Sequence, residues 1–368
     1  MKKKMLLNMD LGIFICSVLL LAIGLVALFS ATQNTEYEEF KKQIMWALIS
    51  VPVMIIVVII DYEFIAKLSP IFYGICILLL IGVFFTEPIN GATSWYILGS
   101  TSFQPGEVSK IFVIIFASAI MTMLTAKGRE RINKPWVLGI IVLIIGVPTL
   151  LIAKQPDLGT AIAYIMAFSF MIFVSEIKLK YIFIIVLIVI IAVPTLYFTI
   201  LPAHAKTRID IFLNPEQDPR GAGYNIIQSK LAIGAGGLTG MGMNKGNQTQ
   251  LGFLYPKTTD FIFAVIGEEF GFIVTSLIVV IYVVMITKSI YVAKTAKDEL
   301  GAYIAMGIAG VFFFHMIENI GMTIGLLPIT GVPLPFVSYG GSSMITNFIC
   351  IGMLLNISGR RQKAIFIG

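Results

Sequence analysis

The sequence predicts an all-α membrane protein of about ten transmembrane helices, with one large extracytoplasmic loop between the seventh and eighth. Three observations carry this. The 368 residues are 58% hydrophobic and only 12% charged, where a soluble domain has about 25% charged residues. Apolar runs near the ~20 residues that a bilayer requires recur along the whole chain. The basic residues gather in alternate connectors, as they do in a polytopic protein of fixed orientation.

The runs lie near 11–31, 43–60, 68–85, 107–126, 136–153, 158–174, 181–200, 260–287, 301–325 and 338–357. The first follows Lys2, Lys3 and Lys4 and is too long for the apolar core of a signal peptide, so it reads as an uncleaved helix. One set of connectors holds Lys67, then Lys127, Arg129, Arg131 and Lys134, then Lys178 and Lys180, then Lys288, Lys294 and Lys297. With the lysines of the N-terminus and Arg360, Arg361 and Lys363 these are most of the 26 basic residues. The short loops opposite carry only Lys41, Lys42 and Lys154. The positive-inside rule therefore places both termini in the cytoplasm, and an even number of spans agrees. The net charge of +6 is explained by orientation, and no nucleic-acid partner is expected. Cys16, Cys76 and Cys350 each lie in an apolar run, which argues against a disulfide framework, and two histidines cannot build a His-rich metal site.

The chain reads as one polytopic unit, 1–368, with its loop at about 201–259. Within that loop Ile226, Ile227, Leu231 and Ile233 recur at roughly helical spacing, which predicts a short amphipathic helix over Tyr224–Ile233 on the membrane surface.

The unusual polar residues fall on the side opposite the basic connectors. Pro105 and Pro156 stand at helix starts, with Glu107 and Asp157 close behind, where the helix dipole favours a carboxylate. Glu107 and Lys110 are three apart and can pair on one helix face. Asp260 opens an apolar span, Glu268 and Glu269 lie about two turns deeper, and Glu318 and Asn319 follow His315 by one turn in the ninth span. Ionisable residues at such depth usually serve a function. A polar cavity opening outward is expected, suited either to transport or to chemistry on a lipid-linked substrate. In the second case a carboxylate acts as base and cations neutralise a pyrophosphate leaving group. Lys110 and Arg208, with Lys154 as a third candidate, are the expected cations.

The stretches Phe103-Gln-Pro-Gly-Glu107, Gln155-Pro-Asp-Leu-Gly-Thr160 and Phe212-Leu-Asn-Pro-Glu-Gln-Asp-Pro219 are similar to motifs of the SEDS family (shape, elongation, division and sporulation). So are Gly221–Lys230, Gln248–Leu251, Thr259–Glu269 and Gly325–Ser343, and the resemblance runs from the first span to the last, closer to the elongation branch than to the division branch. It implies a ten-helix peptidoglycan glycosyltransferase that polymerises lipid II at the outer leaflet beside a class B penicillin-binding protein. It also places the family's essential external Asp on Asp260, its Glu and Lys on Glu107 and Lys110, its Gln-Pro-Asp carboxylate on Asp157 and its tryptophan on Trp95. Two departures stand out: Thr93 and Ser94 occupy the place of a basic residue common before that tryptophan, and Thr258 that of a histidine.

The expected reaction is inverting, with Asp260 as the single general base. The rival readings are a flippase or transporter of the same precursor, which broken helices in two matching halves would favour, and a scaffold that only recruits a transpeptidase. No cofactor is called for, and a divalent cation, Mg or Mn, is left open. The partner should pack in lipid on a small-residue surface, for which Gly267, Gly271, Gly307 and Gly310 are candidates.

Overall fold

The computed structural model describes residues 5, 8–88, 92–99, 101–178, 180–181, 212 and 222–361. Its helices, in chain order, are α1 (Leu11–Ala31), α2 (Glu38–Ile59), α3 (Tyr62–Gly82), α4 (Pro105–Thr125), α5 (Pro135–Lys154), α6 (Leu158–Val174), α7 (Ala222–Gly236), α8 (Asn247–Gln250), α9 (Ile262–Lys294), α10 (Glu299–Thr323) and α11 (Gly341–Arg360). A two-stranded antiparallel hairpin, β1 (Tyr96–Leu98) and β2 (Thr101–Phe103), precedes α4. Eight of the described helices are long and apolar enough to cross a membrane, namely α1 to α5 and α9 to α11, and α6 is a shorter apolar helix of 17 residues. They follow the expected runs closely. The run at 181–200 and the first part of the long loop lie outside the described residues, apart from Tyr181 and Phe212.

Aspartates start four helices. Asp10, Asp61, Asp157 and Asp298 accept from the backbone N–H of Gly12, Glu63, Thr160 and Gly301. Each satisfies a donor that a helix start leaves unpaired. Pro105 and Pro135 occupy first helical positions in α4 and α5. Pro156 instead precedes the cap of α6 and is not itself helical.

The two ends of the described chain share one face. The Asp10 N–H donates to Ser358 Oγ at 3.2 Å, Lys288 Nζ pairs with Asp10 at 2.9 Å, and Arg360 pairs with Asp61. The most deeply buried spans are α10 and α11. Gly352 of α11 lies against Met54 and Val57 of α2. Gly307 faces Ile114 of α4 and Met171 of α6, and Gly310 faces the backbone of Met166 and Ala167. Gly267 faces Ile233 of α7, and Gly271 faces Leu238 and Gly240. These four glycines therefore allow close helix packing inside the bundle, and the expectation that they form a lipid-facing partner surface is overturned.

The expected helix over Tyr224–Ile233 is α7, but it packs into the bundle. Ile226, Ser229 and Ala232 are buried, Ser229 Oγ donates to Thr323 O at 2.7 Å, and Leu231 is exposed.

A second feature is invisible in the hydropathy. The helix α9 is broken at Gly271, whose backbone is non-helical (φ 74°, ψ −170°). The segment after α7 fills the break. Met241 N–H and Gly242 N–H donate to Glu268 O and Glu269 O, while Phe272 N–H and Ile273 N–H donate to Gly237 O and Leu238 O. Backbone polar groups that the break would orphan in an apolar setting are thereby satisfied. The first half of α9, Ile262 to Phe270, carries Asp260 just before its start.

Gly236 tests which force dominates there. Replacing it with Ala adds about 1 kcal/mol of helix propensity. The new methyl, however, collides with the Gly267 carbonyl oxygen, and overpacking costs roughly 1–3 kcal/mol. Gly236→Ala should lower the thermal unfolding temperature in detergent; a rise would show that α7 and α9 do not pack this closely.

Candidate functional site

Asp260 is half-buried between the loop that ends at α9 and the loop between α10 and α11. Its backbone carbonyl accepts from Asn319 Nδ2 at 3.0 Å. A methyl placed on Gly331 would lie 3.5 Å from its carboxylate Oδ2, so residue 331 flanks the carboxylate directly. The neighbouring backbone is held from the other side: Ser338 Oγ donates to Thr259 O at 2.7 Å and Tyr339 N–H to Thr258 O at 2.9 Å. Gln43 of α2 closes this seam by donating to Ser338 O and accepting from Gly340 N–H.

The polar face of α10 fixes the loop beside Asp260. Residues 315, 318 and 319 share a helix face by their spacing, and each binds residues 330–333. His315 Nδ1 lies 2.9 Å from Pro333 O, Glu318 accepts from Thr330 Oγ1 at 2.7 Å, and Asn319 Nδ2 donates to Val332 O at 2.9 Å. On the opposite side of the histidine ring, Nε2 lies 2.7 Å from Lys110 Nζ. Lys110 pairs with Glu107 at 2.7 Å, and both side chains are almost wholly buried. The expected Glu107–Lys110 pair is present; its link to His315 and onward to the Asp260 loop is a tertiary finding.

Asp157 sits at the neighbouring corner. One carboxylate oxygen caps α6 at Thr160 N–H, and the other accepts from Gln104 Nε2 at 2.7 Å. Burial pushes its carboxyl above the usual carboxylate range, against the pull of the Thr160 bonds, and nearby Glu107 pushes the same way. Gln104 itself donates its N–H to Ser342 Oγ at the start of α11. Trp95 is half-buried at the foot of the hairpin, fixed through Ser94, whose hydroxyl donates to Gln155 O at 3.2 Å. Lys154, the last residue of α5, is exposed and forms no ion pair among the described residues. Arg208 lies outside the described residues.

Two carboxylates expected in an outward cavity serve another purpose. Glu268 accepts from Gln248 N–H, Thr249 N–H and Thr249 Oγ1, and so anchors α8. Glu269 accepts from Ser30 Oγ at 2.6 Å and Gln250 Nε2 at 3.0 Å. They tie the segment before α9 to α1 and to α9. Among the described residues no three His, Cys, Asp or Glu groups converge to cage a metal ion.

A family model described as "Cell cycle protein", covering FtsW, RodA and SpoVE, matches residues 10–363. The chain belongs to this SEDS family. This SEDS chain is 39% identical over 295 residues to the peptidoglycan glycosyltransferase MrdB of Escherichia coli (strain K12), covering 80% of this chain and 78% of that protein. It is 31% identical to the peptidoglycan glycosyltransferase RodA of Treponema pallidum, over 96% of this chain and 98% of that one. Among solved structures it superposes with a TM-score of 0.82 on a chain of a peptidoglycan synthase complex that coordinates polymerization and crosslinking. That chain is 25% identical, with 96% of this chain and 99% of that one covered. The rod shape determining protein RodA of Thermus thermophilus shares the fold at a TM-score of 0.72 and 24% identity, over 96% of this chain and 98% of that one. The SEDS fold is thus shared across nearly the whole chain.

Asn319 bonds both the Asp260 carbonyl and the loop beside it. Asn319→Leu leaves two carbonyls without a donor at about 1–3 kcal/mol each. The variant should unfold at a lower temperature and lose at least tenfold in polymerisation of purified lipid II; parental values in both assays would remove Asn319 from the site.

Proposed function

We propose that this chain polymerises lipid II, an undecaprenyl-pyrophosphate-linked disaccharide peptide, into glycan strands at the outer face of the cytoplasmic membrane, with inversion at the anomeric carbon. The observation that carries the reading is the placement of Asp260. A carboxylate stands half-buried at the start of a half-helix, flanked by Gly331, which has no side chain, and by backbone clamped on two sides. The relatives that this chain matches over most of their length are peptidoglycan glycosyltransferases.

In this reading Asp260 takes the proton from the acceptor sugar's 4-hydroxyl. The oxygen forms its bond to the donor's anomeric carbon as the bond to the pyrophosphate oxygen breaks, and undecaprenyl pyrophosphate leaves with the electron pair. A single displacement needs one base and no carboxylate nucleophile. Lys154, which is exposed, and Arg208, which lies outside the described residues, are the cations we assign to the leaving pyrophosphate. Lys110, expected to share that task, has its ammonium buried and bonded to Glu107 and His315. Asp157 and Trp95 line the adjoining corner and are assigned to substrate binding.

The product implies a partner. Glycan without cross-links bears no load, and a class B penicillin-binding protein with a transpeptidase domain would supply them. The neighbour from a peptidoglycan synthase complex supports this assignment. We place both termini in the cytoplasm and the Asp260 side outside; the shared face of Asp10, Lys288 and Arg360 supports it. Among the described residues the break in α9 has no counterpart in a second, matching half, so the transporter reading gains no support from it.

Asp260→Asn keeps shape and hydrogen-bonding capacity and removes only basicity. Glycan synthesis from purified lipid II, with and without a transpeptidase partner, should fall by about 10²–10⁴-fold, with expression unchanged. Near-normal chain formation would refute the assignment.

A further inference from the structure

Two bonds decide the protonation of His315. A carbonyl oxygen only accepts, so the nitrogen 2.9 Å from Pro333 O, Nδ1, carries a proton. The other nitrogen, Nε2, lies 2.7 Å from Lys110 Nζ, a distance that requires one proton between them. An alkyl amine is a stronger base than an imidazole, so the proton belongs to Lys110. The ammonium donates to Nε2 and, through a second N–H, to Glu107 Oε1 at 2.7 Å. His315 is therefore neutral and locked as its Nδ1–H tautomer.

The lock has a consequence at the candidate base. Pro333 O is the last of three consecutive holds on residues 330–333, the others being Thr330 to Glu318 and Val332 to Asn319. Gly331, within that stretch, flanks the Asp260 carboxylate. Lys110 and His315 are only 3% and 2% exposed, so neither is placed to meet a substrate phosphate from solvent.

We propose that Lys110 and His315 are positioning residues: the Lys110 ammonium selects the His315 tautomer that holds Pro333, and so keeps the 330–333 loop against Asp260. Without the ammonium, the Glu107 carboxylate is left unpaired as the charged acceptor on the Nε2 side; a ring that donates to it from Nε2 gives up its Nδ1 proton, and the Pro333 carbonyl is released. The inference rests on the reading of Asp260 as the base. It differs from a phosphate-ligand role for Lys110 in what must be preserved, namely a donor to His315 and not a positive charge.

The chain has two histidines, so His204→Gln leaves one imidazole. In the full-length His204→Gln protein labelled with ¹⁵N-histidine, His315 should show a protonated Nδ1 and an unprotonated Nε2 near neutral pH. Lys110→Met in the same background should convert it to the Nε2–H form and lower lipid II polymerisation at least about a hundredfold. The double variant Glu107→Gln/Lys110→Gln, a neutral pair that keeps an N–H donor, should restore the Nδ1–H signature and recover at least tenfold over Lys110→Met. An Nε2–H or cationic ring in the parent overturns the proposal, as does a double variant with the Nδ1–H signature and no recovered activity. Full activity of Asp260→Asn would instead sink the underlying reading, while the tautomer measurement would stand by itself.

Discussion

The buried ammonium of Lys110 is the constraint from which the rest of the site follows. A cation taken out of water must be paired and hydrogen-bonded, or it destabilises the fold by several kcal/mol. Here Glu107 supplies the countercharge from one turn away and His315 supplies a second acceptor from α10. Meeting that demand fixes the separation of α4 and α10, and through Pro333 it fixes the loop that borders Asp260. Electrostatic necessity inside the bundle is thereby converted into geometry at its outer edge.

The same logic operates at the break in α9. In an apolar setting each backbone N–H and C=O needs an internal partner. The break at Gly271 would leave several without one, and the 237–242 segment supplies them. The first half of α9 is thus held by the segment after α7 as much as by its own helix. Glu268 and Glu269 extend this hold, one anchoring α8 and the other reaching Ser30 of α1. Asp260 and the architecture of the loop are thus set on one short helical segment.

Burial ties Asp157 into this system. Its carboxyl is pushed up by burial and by Glu107, and Gln104 connects it to the start of α11 at Ser342. Lys257, on the loop before α9, is pushed down by burial, with Glu39 and Glu269 pulling back. Burial thus opposes the charge of both groups, Asp157 and Lys257, whatever partners the fold supplies.

The sequence by itself marked the apolar segments that the described long helices follow, because hydropathy is a local sum along the chain. It also determined the Glu107–Lys110 pair, because a spacing of three places both on one helix face. The motifs were enough to point to Asp260, Asp157 and Trp95 and to the family. Only the tertiary structure decided that Gly307 and Gly310 face α4 and α6, since a small residue looks the same whether lipid or a helix lies against it. It alone showed the break in α9, because the chain that fills the break is about thirty residues distant and the apolar pattern runs through it unchanged. It alone joined Lys110 to His315, 205 positions apart. Contacts at such separation depend on how helices pack, and no periodicity along one helix encodes which neighbour it will meet.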